Sequence, residues 1–88
     1  MRLITSPIPS KKYRIIYDDG KHIDFGASGY SDYTLSKDEN KKKAYISRHK
    51  VNEDWTDPYK AGTLSRFILW NLPTVQDSYN DYKKRFGF

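Results

Sequence analysis

The stretch that decides the fold runs from Phe25 to Lys50 and reads FGASGYSDYTLSKDENKKKAYISRHK. Its first part is rich in glycine and tyrosine and predicts an ordered loop, because glycine accepts the positive φ angles that turns require. Its second part contains Ser36-Lys37-Asp38-Glu39, a capping box with serine at the N-cap and glutamate three residues later. The pattern therefore predicts a charged helix over about residues 37–50.

A β-hairpin over residues 12–25 is predicted to lead into this stretch. Its strands, KYRIIY and KHIDF, are joined by Asp18-Asp19-Gly20-Lys21, and the Asp-Gly pair favours a tight turn. With Asp19 and Gly20 as a two-residue loop, Ile16 faces Ile23 across the hairpin. A lone hairpin is barely stable in water, so helices are expected to cover at least one of its faces.

Residues 1–10 are expected to form an extended arm, because Pro7 and Pro9 fix φ and remove amide donors. The arm offers three apolar side chains for contact with its own domain or with a neighbouring protein: Leu3, Ile4 and Ile8. The chain is thus divided into this arm and a single domain over residues 11–88.

Two further helices are predicted after the charged helix. The first, over about Thr63 to Trp70, is apolar around most of its circumference and is expected to be the central core helix. The second is capped by Thr74 and carries an amphipathic stripe: Val75, Tyr79, Tyr82 and Phe86. The expected fold class is α+β, a small single domain with an N-terminal β-hairpin followed by three α-helices.

Composition excludes several classes of function. The 88 residues suffice for one small domain, and 16% aromatic residues indicate an aromatic core. Without cysteine there is no disulfide or thiolate site, and His22 and His49 with carboxylates make a poor zinc set, so no metal or cofactor is expected. No apolar run reaches the roughly 20 residues that cross a bilayer, and no signal-peptide core is present. The protein is therefore expected to be intracellular and not secreted.

Tyr45, Arg48 and His49 share one face of the charged helix. One interpretation is an anion or nucleotide contact, with Tyr45 stacking and the other two side chains donating hydrogen bonds. The other, which the sequence favours, is a face that packs on the hairpin or on Trp55, with Arg48 in an ion pair with Asp32, Glu53 or Asp54. The nearby Gly26-Ala27-Ser28-Gly29 matches neither the Rossmann nor the P-loop spacing and is more typical of a turn than of a phosphate loop.

Basic residues are concentrated at two places in a chain of net charge +5. The clusters are Lys41, Lys42 and Lys43 in the charged helix, and Lys83, Lys84 and Arg85 at the end of the last helix. With tyrosines interleaved, such clusters are candidates for binding nucleic acid. Lysine runs are more often solvated helix faces, and cations at a helix C-terminus are expected from the helix dipole alone.

No constellation of catalytic residues is evident in the sequence, and no catalytic residue is assigned. There is no Ser-His-Asp set, and no carboxylate pair lies among apolar neighbours that would raise a pKa. A domain of this size also has little room for a ligand pocket of ordinary volume. The protein is therefore predicted not to be an enzyme and to take no small-molecule substrate.

The run KKYRIIYDDGKHIDFGASGYSDYTLSKDENKKKAYISRHK, followed by NEDW and SRFILWNLPT, resembles a family of small basic viral proteins. The family is a domain of unknown function from large nucleocytoplasmic DNA viruses of the chlorella-virus and mimivirus type. The resemblance covers roughly Lys11 to Phe86, and its most specific parts are YSDY, Tyr45-x-x-Arg48-His49 and FILWN. It implies a virion setting, in which small basic proteins often serve as minor capsid components, and it supplies no catalytic residues.

Two functional hypotheses follow from these observations. The first is a non-enzymatic structural or adaptor protein of a large DNA virus particle, which bridges larger capsid proteins through its arm, aromatic surfaces and basic helix. The alternative is a basic protein that contacts the phosphate backbone of nucleic acid without reading its sequence. Partner association that depends on residues 1–10 would favour the first hypothesis.

Overall fold

The computed structural model describes residues 1–88 as a three-stranded antiparallel sheet followed by helices. The strands, in the spatial order β1-β2-β3, are β1 (Arg2–Thr5), β2 (Lys11–Ile16) and β3 (His22–Ala27). The helices are α1 (Tyr33–Ser36), α2 (Glu39–His49), α3 (Ala61–Leu64), which continues into a π-helical turn (Ser65–Leu69), and α4 (Val75–Phe86). The predicted α+β class is confirmed, with the short α1 added to the three expected helices.

Strand β1 lies within the segment that the sequence presented as an arm. Leu3 pairs with Ile15 and Ile4 with Arg14, so residues 2–5 are the edge strand of the sheet. The β-branched Ile4 and Thr5 favour a strand here. The prolines fall beyond the strand, in the turn before β2, where the missing amide donors remove no ladder hydrogen bond.

The hairpin register differs by one residue from the expected one. Ile15, not Ile16, lies opposite Ile23. The Tyr17 amide donates to the Lys21 carbonyl at 2.8 Å, which leaves a three-residue loop that ends in Gly20 at φ +88°. A three-residue loop closed by a glycine in the left-handed region replaces the expected two-residue turn.

Helix α2 begins later than the capping box predicted. Asp38 is its N-cap, and the Asp38 side chain accepts from the backbone N–H groups of Asn40 and Lys41. Ser36 instead ends α1, and Lys37, at φ +52°, separates the two helices. Ser36 and Asp38 are thus both candidate caps, two residues apart. Asp38 caps the longer helix because its carboxylate also interacts favourably with the positive end of the helix dipole.

The core lies between one face of the sheet and the helices α3 and α4. The π-helical turn contributes Phe67, Ile68 and Leu69 to this core. The predicted stripe of α4 packs here too, with Tyr82 fully buried. Trp70 follows the π-helical turn and is only half-buried, so the core is centred on Ile68 and its neighbours rather than on the tryptophan.

Candidate functional site

A cleft of about 410 Å³ lies where the end of the sheet, α2 and the π-helical turn meet. The side chains that give the cleft its character are Lys12, Tyr30, Asp32, Tyr45, Arg48, His49 and Trp70. The volume lies within the range of roughly 300–1,000 Å³ that is usual for ligand pockets. The structure thus brings the predicted trio of α2 together with residues from the sheet and the loop that follows it.

An aromatic stack forms one wall of the cleft. The Tyr45 ring lies 4.5 Å from the Trp70 ring at an interplanar angle of 6°, and 4.2 Å from the His49 ring at 25°. The two neighbours leave Tyr45 only 8% exposed. Burial, with a smaller contribution from Glu53, raises the pKa of Tyr45 to about 12, so its hydroxyl stays neutral near pH 7.

A buried ion pair forms another part of the cleft. The Lys12 Nζ donates to Asp32 Oδ2 at 2.6 Å, and the two side chains are 14% and 3% exposed. Asp32 also accepts from the Thr34 N–H at 2.8 Å, which caps α1. The pair therefore ties the loop before α1 to strand β2, and it leaves little net charge at this place.

Gly26 marks a close approach between the sheet and the π-helical turn. It adopts φ +79°, and a Cβ atom at this position would lie 2.8 Å from Leu69 Cδ1. No other residue fits there without displacing the core. This packing role accounts for Gly26 without a phosphate.

Arg48 and Tyr30 are the two cleft side chains without a structural partner. Arg48 is exposed and makes no ion pair or side-chain hydrogen bond. Tyr30 is 73% exposed on the loop after β3. His49, by contrast, has its Nδ1 3.9 Å from Glu53 Oε1. Of the trio on α2, Arg48 is the one that is exposed and makes no ion pair.

The cations of the two basic clusters are used in different ways. Lys42 Nζ donates to the Asn71 carbonyl at 2.6 Å. Lys83 lies over the Tyr79 ring at 4.6 Å, and Arg85 pairs with Asp81 at 3.2 Å. The remaining three lysines are exposed: Lys41, Lys43 and Lys84. In each cluster, therefore, some of the cations contact other groups of the domain and the others are exposed to solvent.

The apolar residues of the predicted arm are distributed over two sides of the sheet. Leu3 packs against the core. Ile4 lies on the opposite side, which we call the open face and define by Arg2, Ile4, Arg14, Ile16, His22 and Asp24. Ile8 lies beyond β1 and is 41% exposed. Ile8 is thus exposed to a partner, and Ile4 is half-buried on the open face.

A polar network crosses the open face. Arg14 Nε donates to Asp24 Oδ1 at 2.9 Å, and Ser6 Oγ donates to the same oxygen at 2.7 Å. These hydrogen bonds, with that from Arg14 the larger effect, lower the pKa of Asp24. The network holds the side chains of Arg14 and Asp24 in place on the open face.

Arg66 is a residue whose role the sequence did not reveal. Its guanidinium lies 4.9 Å from the Phe67 ring and 5.5 Å from the Trp55 ring, and Nη1 donates to the Trp70 carbonyl at 2.8 Å. Its Nε is buried without a hydrogen-bond partner. An arginine within the apolar run SRFILW was the only available signal.

A family model matches residues 1–49, more than half of the 88-residue chain, under the description "Family of unknown function (DUF5754)". The chain belongs to DUF5754. The matched part contains the sheet, α1 and α2, and thus the DUF5754 region supplies all of the cleft except the π-helical turn and Trp70. Membership of a family of unknown function, which the resemblance implied, is confirmed. Searches of curated proteins and of solved structures gave no significant match.

Two further features of the structure bear on the site. No group of three or more histidine, aspartate or glutamate side chains is arranged to share a metal ion. None of the helices combines the length and the apolar character needed to cross a membrane.

Proposed function

We propose that this protein is a non-enzymatic structural or adaptor protein that bridges larger proteins. The observation that carries the proposal is the open face, where Ile4 and Ile16 lie on the side of the sheet opposite the core. A sheet of this size normally has one buried face and one polar face. Here the second face combines two isoleucines with fixed charges, a composition suited to a protein surface.

The edge of the sheet supports the same proposal. Strand β1 is the first strand in the order β1-β2-β3, so one row of its backbone groups has no partner in the sheet. Edge strands of this kind accept a strand from a partner protein. Ile8, 41% exposed, extends the apolar surface beyond the strand.

The setting of this proposed role comes from the resemblance to small basic proteins of large DNA viruses. In such a particle the partner would be a larger capsid component. The exposed Arg2 on the open face favours a partner with acidic groups at that position.

The proposal is tested by partner capture with charged substitutions on the open face. In the double variant Ile4→Lys, Ile16→Lys, two ammonium groups would have to lose their hydration when the partner binds. We expect this variant to reduce recovery of the partner protein about tenfold or more. The matched control is Leu35→Lys, since Leu35 is 66% exposed and lies outside the open face. Circular dichroism verifies that both variants fold.

Recovery of the same partner by the wild-type chain and the Leu35→Lys control, but not by the double variant, supports the proposal. Retention of the partner by the double variant would contradict it. Recovery of nucleic acid and no protein by the wild-type chain would contradict it as well.

A second candidate function, contact with the phosphate backbone of nucleic acid, is supported by the three exposed lysines of the two basic clusters and by the net charge of +5. Binding to duplex and single-stranded DNA should then weaken steeply with salt. The variant Lys41→Ala, Lys43→Ala should reduce the salt slope, and Lys42 is left intact because it holds the Asn71 carbonyl. Absence of binding at moderate salt would eliminate this candidate.

A further inference from the structure

We infer that the cleft beside α2 binds a nucleobase together with its phosphate. The ligand would be a mononucleotide or one residue of a single-stranded nucleic acid. This site is distinct from the open face, and it would recognise a base rather than a run of phosphates. Three observations lead to this ligand class.

The first observation is the exposed aromatic ring at the cleft. Tyr30 is 73% exposed, so one face of its ring is open to a planar ligand. It borders the same cleft as Trp70, which is stacked on Tyr45 and held in place. A planar ligand can stack on such rings. Because Trp70 is already held in place, stacking on it costs little side-chain entropy.

The second observation is the distribution of charge. The Lys12–Asp32 pair is buried and internally neutralised, so it sets the shape of the cleft without adding net charge. Arg48 is exposed, makes no ion pair and borders the same cleft. A guanidinium with free donors matches the oxygens of a phosphate, which it contacts with two parallel hydrogen bonds.

The third observation is size. The volume of about 410 Å³ admits a base and its sugar phosphate but not a folded protein element. The cleft is formed by segments far apart in the chain, from Lys12 to Trp70, and the Tyr45 stack and the buried ion pair hold those segments in place. The walls of the cleft are therefore preformed, which lowers the entropic cost of binding to the ordering of Tyr30, Arg48 and the ligand.

The test is titration of the full chain with AMP, UMP, adenosine, inorganic phosphate and a short oligo(dT), followed by NMR of the backbone amides and by calorimetry. We expect AMP to bind more tightly than adenosine or inorganic phosphate, and to shift the amides of residues 30–32 and 48–49. A mononucleotide that binds as well as oligo(dT) identifies the free nucleotide as the ligand. Tighter binding of oligo(dT) identifies the single strand.

Variants make the test specific to the cleft. Tyr30→Ser should weaken AMP binding about tenfold, which corresponds to ~1.4 kcal/mol. Its control is Tyr59→Ser, because Tyr59 is 57% exposed but lies outside the cleft. Arg48→Gln should abolish the preference for AMP over adenosine, whereas Lys84→Gln, which removes the same charge elsewhere, should retain it.

Three results would each overturn the inference. The first is that neither AMP, UMP nor oligo(dT) binds at millimolar concentration. The second is that inorganic phosphate binds as well as AMP. The third is that Lys84→Gln weakens binding as much as Arg48→Gln, since binding would then depend on overall charge. None of these results bears on partner capture by the open face, so the two proposals fail separately.

Discussion

Helices α2 and α4 are both polar and end in basic residues, but they are attached to the domain in different ways. Both carry lysines, tyrosines and basic residues in the last turn. Helix α4 buries Ser78, Tyr79 and Tyr82, whereas α2 buries only Tyr45. One helix is thus part of the core, and the other lies at the edge of the domain.

The difference decides what the cations of each helix do. On α4, Lys83 and Arg85 lie over the rings of Tyr79 and Phe67, so they cover apolar surface with their side chains. On α2, Arg48 has no such ring and borders an open cleft. Lys83 and Arg85 of α4 therefore stabilise the fold, as Lys42 does on α2, whereas Arg48 of α2 remains available to a ligand.

The largest expected effect is a loss of stability at α4, the helix that is part of the core. Tyr82→Ala should lower the free energy of unfolding by about 3–5 kcal/mol, because it opens a cavity at a fully buried ring. It also removes the hydroxyl that donates to the Pro58 carbonyl at 2.7 Å. Urea denaturation measures the loss, and Tyr82→Phe, which keeps the ring, should cost only about 1 kcal/mol. Equal losses in the two variants would show that packing of the ring does not hold α4.

The next effect concerns the ion pair that shapes the cleft. Asp32→Asn should cost about 3 kcal/mol, because it leaves the Lys12 ammonium buried without its counter-charge. Adding Lys12→Met should restore part of the stability, since no unpaired charge is then buried. Urea denaturation of the two single variants and the double variant gives the coupling energy. If the losses of the two single variants simply add in the double variant, the coupling energy is zero and the ion pair behaves like a solvent-exposed one.

A pH effect tests the aromatic stack. Burial raises the pKa of Tyr45 from 10.0 to about 12, so the folded state favours the neutral phenol. This stabilisation is fully present below pH 10 and is lost as the pH rises towards 12. Two pKa units correspond to roughly 2–3 kcal/mol. The free energy of unfolding of wild type, relative to that of Tyr45→Phe, should fall by this amount across that range, as measured by urea denaturation.

The smallest effect distinguishes neighbouring lysines of α2. Lys42→Met should cost about 1–2 kcal/mol, because it removes a charge-assisted hydrogen bond to the Asn71 carbonyl. Lys41→Met, at an exposed position, should change stability by less than about 0.5 kcal/mol. Thermal unfolding of both variants decides the point. If the two variants lose the same amount, Lys42 contributes nothing beyond an ordinary surface lysine.

Local signals explain which parts of the fold could be predicted. Helix α4 was predicted well because a cap at Thr74, an apolar stripe and Gly87 agree with one another. The hairpin register was wrong because Asp18-Asp19-Gly20 permits either a two-residue or a three-residue loop. The start of α2 was wrong because Ser36 and Asp38 are both good caps, and only the contacts of α1 decide between them.

The cleft could be predicted only in part. The spacing of the residues on α2 put Tyr45 and Arg48 on one face, and this needs only helical periodicity. The partners of that face lie far away in sequence: Lys12 and Asp32 are 20 residues apart, and Trp70 follows a different helix. No local rule fixes such contacts, so Tyr30 and Lys12 were absent from the predicted site. Asp32 was expected there only as an ion-pair partner of Arg48, and it pairs with Lys12 instead.

The measurement that tests the central claim most directly is site-specific photo-cross-linking in the native source of the protein. A photoreactive amino acid replaces Ile16 on the open face and, in a matched control, Lys84 on α4. Our account predicts a defined protein adduct from position 16 and none from position 84. An adduct from position 84 with none from position 16 would contradict the assignment of the open face as the surface that bridges larger proteins.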